Sequence, residues 1–182
     1  MTRVILLNGV GSAGKSTLAR AIQDAAGIPL LHVEMDAFLD MLPTRYADHP
    51  EAFSYRRIDA ATVEIEAGPL GKRLMRGMRD AVAALAAAEN DLIVDDVLDA
   101  EGIADYRKVL APFEVSIIGV TAPAAEIERR ERSRGDRMIG LAAGQLRYMH
   151  SGVGYDLIVD TAAASPDVLA RQLCGALGIP LA

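Results

Sequence analysis

The chain has one cysteine, Cys174, in 182 residues. That excludes an internal disulfide framework and a multi-cysteine zinc site, and it suits a reducing compartment. Tryptophan is absent and aromatics are only 4%, so broad stacking platforms for single-stranded nucleic acid are not expected. There is no excess of positive charge either. Nineteen Lys and Arg stand against 25 Asp and Glu, a formal net charge of −6, which disfavours a general nucleic-acid binder. Long apolar runs are missing. The first ten residues hold only the four-residue run at 4–7, too short for a signal-peptide core. No window approaches the roughly 20 apolar residues of a membrane span. No membrane or nucleic-acid partner is therefore expected, and the expected location is the cytoplasm. What is present is ordinary globular material: 51% hydrophobic and 24% charged residues, in a length close to one domain at about 150 residues each.

Short apolar runs alternate with helix-like stretches. Strands are predicted over 3–8 (RVILLN), 28–34 (IPLLHVE), 91–95 (DLIVD), 113–120 (FEVSIIGV) and 157–160. Helices are predicted over 13–26, over 59–89 with a break near Gly68, Pro69 and Gly71, around 106–110, over 124–133 behind Pro123, and over 166–177 before Gly178. Apolar strands alternating with helices argue for an α/β fold, a parallel sheet covered on both faces. Residues 43–57 are the least regular and read as a substrate-side insertion.

Between the first strand and the first helix lies Gly9-Val10-Gly11-Ser12-Ala13-Gly14-Lys15-Ser16, then Thr17. This matches G-x-x-x-x-G-K-[ST] in full and in the required strand–helix context. Glycines let backbone N–H groups turn inward as an anion nest, and the helix N-terminus adds its positive end. Residues 9–17 are the predicted binding site for a nucleoside triphosphate, ATP. Lys15 reaches its β- and γ-phosphates and Ser16 is a ligand for Mg²⁺.

Ligands of a parallel sheet bind beyond the carboxyl ends of its strands. Asp36, just after the second strand, is placed there as a base for a substrate hydroxyl, or else as a helix N-cap. Asp40 reads as a solvated carboxylate. Asp95 and Asp96 end the third strand in the manner of a metal-orienting carboxylate, with Asp95 favoured for the metal and Asp96 open to substrate or structural contacts. Asp99 reads as the cap of the next helix. Residues 128–137, ERRERSRGDR, hold five arginines on an acidic chain. Arg134 and Arg137, on either side of Gly135, suit a lid over phosphate oxygens at about 129–140, whereas Glu128, Arg129 and Arg132 read as a solvated face. His32 reads as a satisfied core residue, Cys174 as packing, and Gln145 either as a nucleotide contact or as a surface residue.

These blocks, RVILLNGVGSAGKST, MDAFLDMLP, IVDDVLD, RSRGDRMIGLAAGQ and GVGYDLIVDT, fall in order from residue 3 to 161. Together they resemble the chloramphenicol phosphotransferase family of P-loop kinases. The resemblance implies a shikimate-kinase-like P-loop fold, a three-layer sandwich around a five-stranded parallel sheet, in one kinase domain over residues 1–182. It implies ATP-dependent phosphorylation of a primary hydroxyl, with Asp36 as catalytic base and Lys15, Arg134 and Arg137 along the phosphates. In the founding activity the acceptor is chloramphenicol and the outcome is antibiotic resistance. Residues 43–71 share little of it, so the region at about 36–70 is where the acceptor would be chosen. Two other readings stand beside this one. One is a nucleoside or nucleotide kinase using Arg45, Arg56 and Arg57; the other is an ATP-binding regulatory module.

Overall fold

A computed structural model describes residues 1–134 and 138–182. Five parallel strands form the main sheet: β1 (Arg3–Asn8), β2 (Leu31–Glu34), β5 (Leu92–Asp96), β6 (Glu114–Thr121) and β7 (Leu157–Asp160), in the order β2-β5-β1-β6-β7. Two further strands, β3 (Phe53–Arg57) and β4 (Val63–Ala67), make a separate antiparallel hairpin.

Strand residues alternate between two cores, because successive side chains leave opposite faces of a sheet. Ile5, Leu7, Ile93 and Ile118 pack on one side, with Leu18 and Ile22 of α1 (Lys15–Ala25) and Leu169 and Leu173 of α7 (Pro166–Ala176). Val4, Leu6, Leu92 and Val94 pack on the other, with Met78 and Val82 of α3 (Pro69–Ala87) and Ile103 and Tyr106 of α4 (Ala100–Val109). The result is the expected helix–sheet–helix sandwich. Three more α-helices, α2 (Met35–Leu39), α5 (Ala124–Arg134) and α6 (Leu141–Leu146), and a short 3₁₀ turn (Thr44–Tyr46) complete the described residues.

Register brings the functional ends into line. Glu34 lies opposite Asp95, and Asn8 opposite Asp96. Buried Asn8 locks that edge, its side-chain amide donating to Leu98 O at 2.9 Å and Tyr155 Oη at 3.0 Å and accepting from Leu98 N at 2.8 Å.

One predicted helix requires correction. Within 59–89 the break at Gly68 and Pro69 is real, but the residues before it are β4. Val63-Glu64-Ile65-Glu66 alternates with period two, a strand signature, and the tight approach at Gly68, where a Cβ would lie 1.9 Å from Pro50 O, separates β4 from α3. The second strand starts at Leu31, since Pro29 cannot donate to a ladder. The helix predicted around 106–110 is longer than read, capped by Asp99, which accepts from Gly102 N at 2.9 Å. No described helix is long and apolar enough to cross a membrane.

Candidate active site

The loop between β1 and α1 is built as an anion cradle. Ser12 and Gly14 have φ of 60° and 97°, which turns successive amides inward. Gly9 has no room for a side chain, since a Cβ there would sit 2.3 Å from Val120 O. Lys15 is buried and its ammonium donates to the carbonyls of Gly9 (2.9 Å) and Val10 (3.1 Å), with Asp95 Oδ1 at 3.6 Å. Ser16 Oγ donates to Asp95 Oδ2 at 2.5 Å. The Ser12 hydroxyl is buried without a hydrogen-bond partner among the described residues. A buried donor in that state is costly, and here it lines the cradle where a phosphate oxygen would meet it.

A cleft runs along this loop. Its wall includes Gly11, Ser12, Gly14, Lys15, Ser16 and Thr17 from the loop, Asp36 from α2, Asp95 from β5 and Arg134 from the end of α5. Four separated segments thus converge at the carboxyl edge of the sheet. Val10 and Ala13 lie in the core and contribute only backbone. Asp36 lies in the first turn of α2, with Glu34 at the N-cap position, so it is not the cap. Asp40 is exposed, as expected. Arg137 falls outside the described residues. Arg129 and Arg132 pair on the solvent face with Glu126 and Glu128 respectively.

Asp95 and Asp96 divide the work. Asp96 is fully buried on the α4 side. It accepts from Val97 N at 2.7 Å and Tyr106 Oη at 3.0 Å, and burial pushes its carboxyl up to about 6. It is a structural group, and Asp95 alone of the two lines the cleft.

Three further residues shape the site, two of them, Glu131 and Arg130, without an obvious sequence signal. Gln145 is buried, neither a surface residue nor part of the cleft wall, and its Oε1 accepts from Gly11 N at 2.7 Å. Glu131, also buried, accepts from Gly140 N (2.7 Å) and Ala142 N (3.0 Å), which ties α5 to the start of α6. Arg130 donates to Thr161 Oγ1 at 2.8 Å and Ala13 O at 3.3 Å. It also borders a second hollow that shares Gly14 and Thr17 with the cleft and adds Leu18, Thr161, Pro166 and Leu169. The reading of His32 as a satisfied core residue is corrected. Its side chain is only 9% exposed, yet Nε2 has no hydrogen-bond partner among the described residues, and burial lowers the pKa of the ring.

The family model described as chloramphenicol phosphotransferase-like protein matches residues 2–177. The chain belongs to that family. A protein of Mycobacterium tuberculosis (strain ATCC 25618 / H37Rv), provisionally named an O-phosphotransferase, is 34% identical over 180 residues, covering 94% of this chain and 80% of its own. Two solved kinases share the fold of this family member. A sugar kinase of Janibacter sp. HTCC2649 superposes with TM-score 0.69 at 22% identity over 98% of this chain and 96% of its own. Shikimate kinase of Acinetobacter baumannii superposes with TM-score 0.59 at 14% identity over 98% and 94%. The fold is therefore that of the P-loop kinases, and the family membership makes the chain a kinase of the O-phosphotransferase type.

Proposed function

We propose that this protein transfers the γ-phosphoryl group of ATP, with Mg²⁺, to a hydroxyl of a small molecule, either chloramphenicol or a related alcohol, in the cytoplasm. One observation carries the reading: a phosphate cradle, a carboxylate after β2 and an arginine at the end of α5 share a single cleft. The unpartnered Ser12 hydroxyl and the open glycine backbone fit phosphate oxygens, and the Ser16–Asp95 pair fits a hard cation. Mg²⁺ held there would neutralise charge on the β- and γ-phosphate oxygens.

The acceptor oxygen attacks the γ-phosphorus, the bond to the bridging oxygen breaks, and ADP leaves. Asp36 takes the proton of the attacking hydroxyl. Lys15 and Arg134, joined by Arg137, hold the charge of the moving group. The hollow bounded by Leu18, Arg130 and Thr161 takes the nucleoside end, since it adjoins the cradle at Gly14 and Thr17. Residues at about 36–70, which include α2 and the hairpin, select the acceptor, and residues at about 129–140 form the lid, all within one domain.

The test is acceptor-dependent ADP release across chloramphenicol, other small alcohols and nucleosides, with mass detection of the phosphorylated product. Product on one small alcohol is expected. Release of ADP that no acceptor stimulates would instead indicate a regulatory nucleotide switch, and product on nucleosides alone a nucleoside kinase. Asp36→Asn is expected to lower kcat by about 10²–10⁴-fold with little change in nucleotide affinity by titration; an unaltered kcat removes Asp36 from the role of base.

A further inference from the structure

His32 and Glu34 are two residues apart on β2, so they share a face, and Glu34 pairs with Asp95 on β5. Ligand atoms of the three lie within 4.8 Å of one another. All three look toward α1: Asp95 Oδ2 takes the Ser16 hydroxyl at 2.5 Å, and Glu34 Oε1 lies 3.3 Å from the Arg20 guanidinium.

The imidazole is held between the two carboxylates. Nδ1 is 3.5 Å from Glu34 Oε1, and Nε2 is 3.9 Å from Asp95 Oδ2. Nε2 is shut off from solvent and makes no hydrogen bond to any described residue. With its proton on Nδ1, toward Glu34, the ring turns a bare lone pair toward an oxygen that is itself electron-rich. Two such atoms at that separation repel unless something positive, or a proton donor, lies between them. A metal-bound histidine has this same environment, one nitrogen on the ion and the other N–H directed to a carboxylate. The spacing also fits, because ligand atoms each about 2.0–2.2 Å from a small divalent ion are roughly 3–4.3 Å apart.

We propose that His32 Nε2 and Asp95 Oδ2, beside the Ser16 hydroxyl and with Glu34 orienting the ring from behind, form a nitrogen-containing divalent-cation site that takes Mn²⁺ or Co²⁺ in preference to Mg²⁺. An imidazole nitrogen binds first-row transition ions more tightly than Mg²⁺, Co²⁺ more so than Mn²⁺, whereas an all-oxygen set suits Mg²⁺. The site itself stands on this geometry. What the ion does there rests on the phosphoryl-transfer reading, since it adjoins the cradle's own serine.

The full chain, without nucleotide, is titrated with MnCl₂ and with MgCl₂ by calorimetry, and the Mn²⁺ form is examined by pulsed electron paramagnetic resonance for ¹⁴N coupling. Mn²⁺ binding at least tenfold tighter than Mg²⁺, with ¹⁴N coupling, is expected. His32→Phe is expected to lose the coupling and bring the ratio of the two affinities close to 1. Absence of Mn²⁺ binding, absence of ¹⁴N coupling in bound Mn²⁺ (a water alone then occupying the space at Nε2), or an unchanged affinity ratio in a folded His32→Phe protein overturns the proposal. Should His32→Phe fail to fold, the wild-type spectrum decides. None of these measurements involves turnover, so a failed acceptor search leaves the metal site standing, and an empty metal site leaves the kinase reading standing.

Discussion

Asp96 and Asp95 are neighbours on β5 with opposite surroundings, and the difference has a measurable consequence. The Asp96 carboxyl, buried against Tyr106, rises from 3.8 to about 6. Between these values the folded protein keeps a proton that the unfolded chain has released, so stability falls as pH rises through this window and is level on either side. Two pK units correspond to about 3 kcal/mol. Asp96→Asn removes this contribution. Urea denaturation in a chelating buffer at pH 4 and pH 7 is expected to show the wild type losing about 2–3 kcal/mol relative to the variant across that range. Parallel pH profiles would mean that Asp96 is ionised, or neutral, in both states. The residue before it, Asp95, differs because alternation along the strand turns it to Ser16 and Lys15.

At the level of elements, the short helix α6 joins parts that are distant in sequence. Its Gly144 lies so close to the hairpin that a Cβ would be 1.9 Å from Val63 O, while its Gln145 holds the Gly11 amide of the phosphate cradle. Val63 N also donates to Gly140 O at 2.9 Å. Gly144→Ala is expected to push α6 from β4, destabilising the fold by about 1–3 kcal/mol and raising the nucleotide KM several-fold, read by urea unfolding and steady-state kinetics. The contrast is Gly77→Ala in α3, where nothing lies within 4 Å of the added carbon. That change is expected to stabilise by about 0.4–1 kcal/mol. Opposite signs for one chemical change would show that backbone contact, not helix propensity, governs position 144. Glu131 belongs to the same device, since its carboxylate caps the start of α6 from within α5.

On the scale of the whole molecule, two apolar cores sandwich the sheet, and β1 contributes to both. Leu6, fully buried in the α3–α4 core, is expected to cost about 2–5 kcal/mol when cut to alanine, measured by the urea midpoint. The chain's local patterns already contained this architecture. Apolar runs at 3–8 and 113–120, helix stops at Gly27 and Gly178, and the intact cradle motif between β1 and α1 are all read over a few consecutive residues. The hairpin was legible too, in the period-two alternation at 63–66, but helix-favouring neighbours obscured it. By itself, then, the sequence determined the layers, the anion-binding loop and the carboxylates at strand ends, because each depends on nearest-neighbour periodicity and backbone freedom. Only the tertiary structure decided that Asp95 rather than Asp96 faces the cleft, that Gln145 reaches Gly11 across 134 positions, and that His32 turns an unsatisfied nitrogen toward Asp95. Those outcomes follow from strand register and packing between remote segments, which no local pattern encodes.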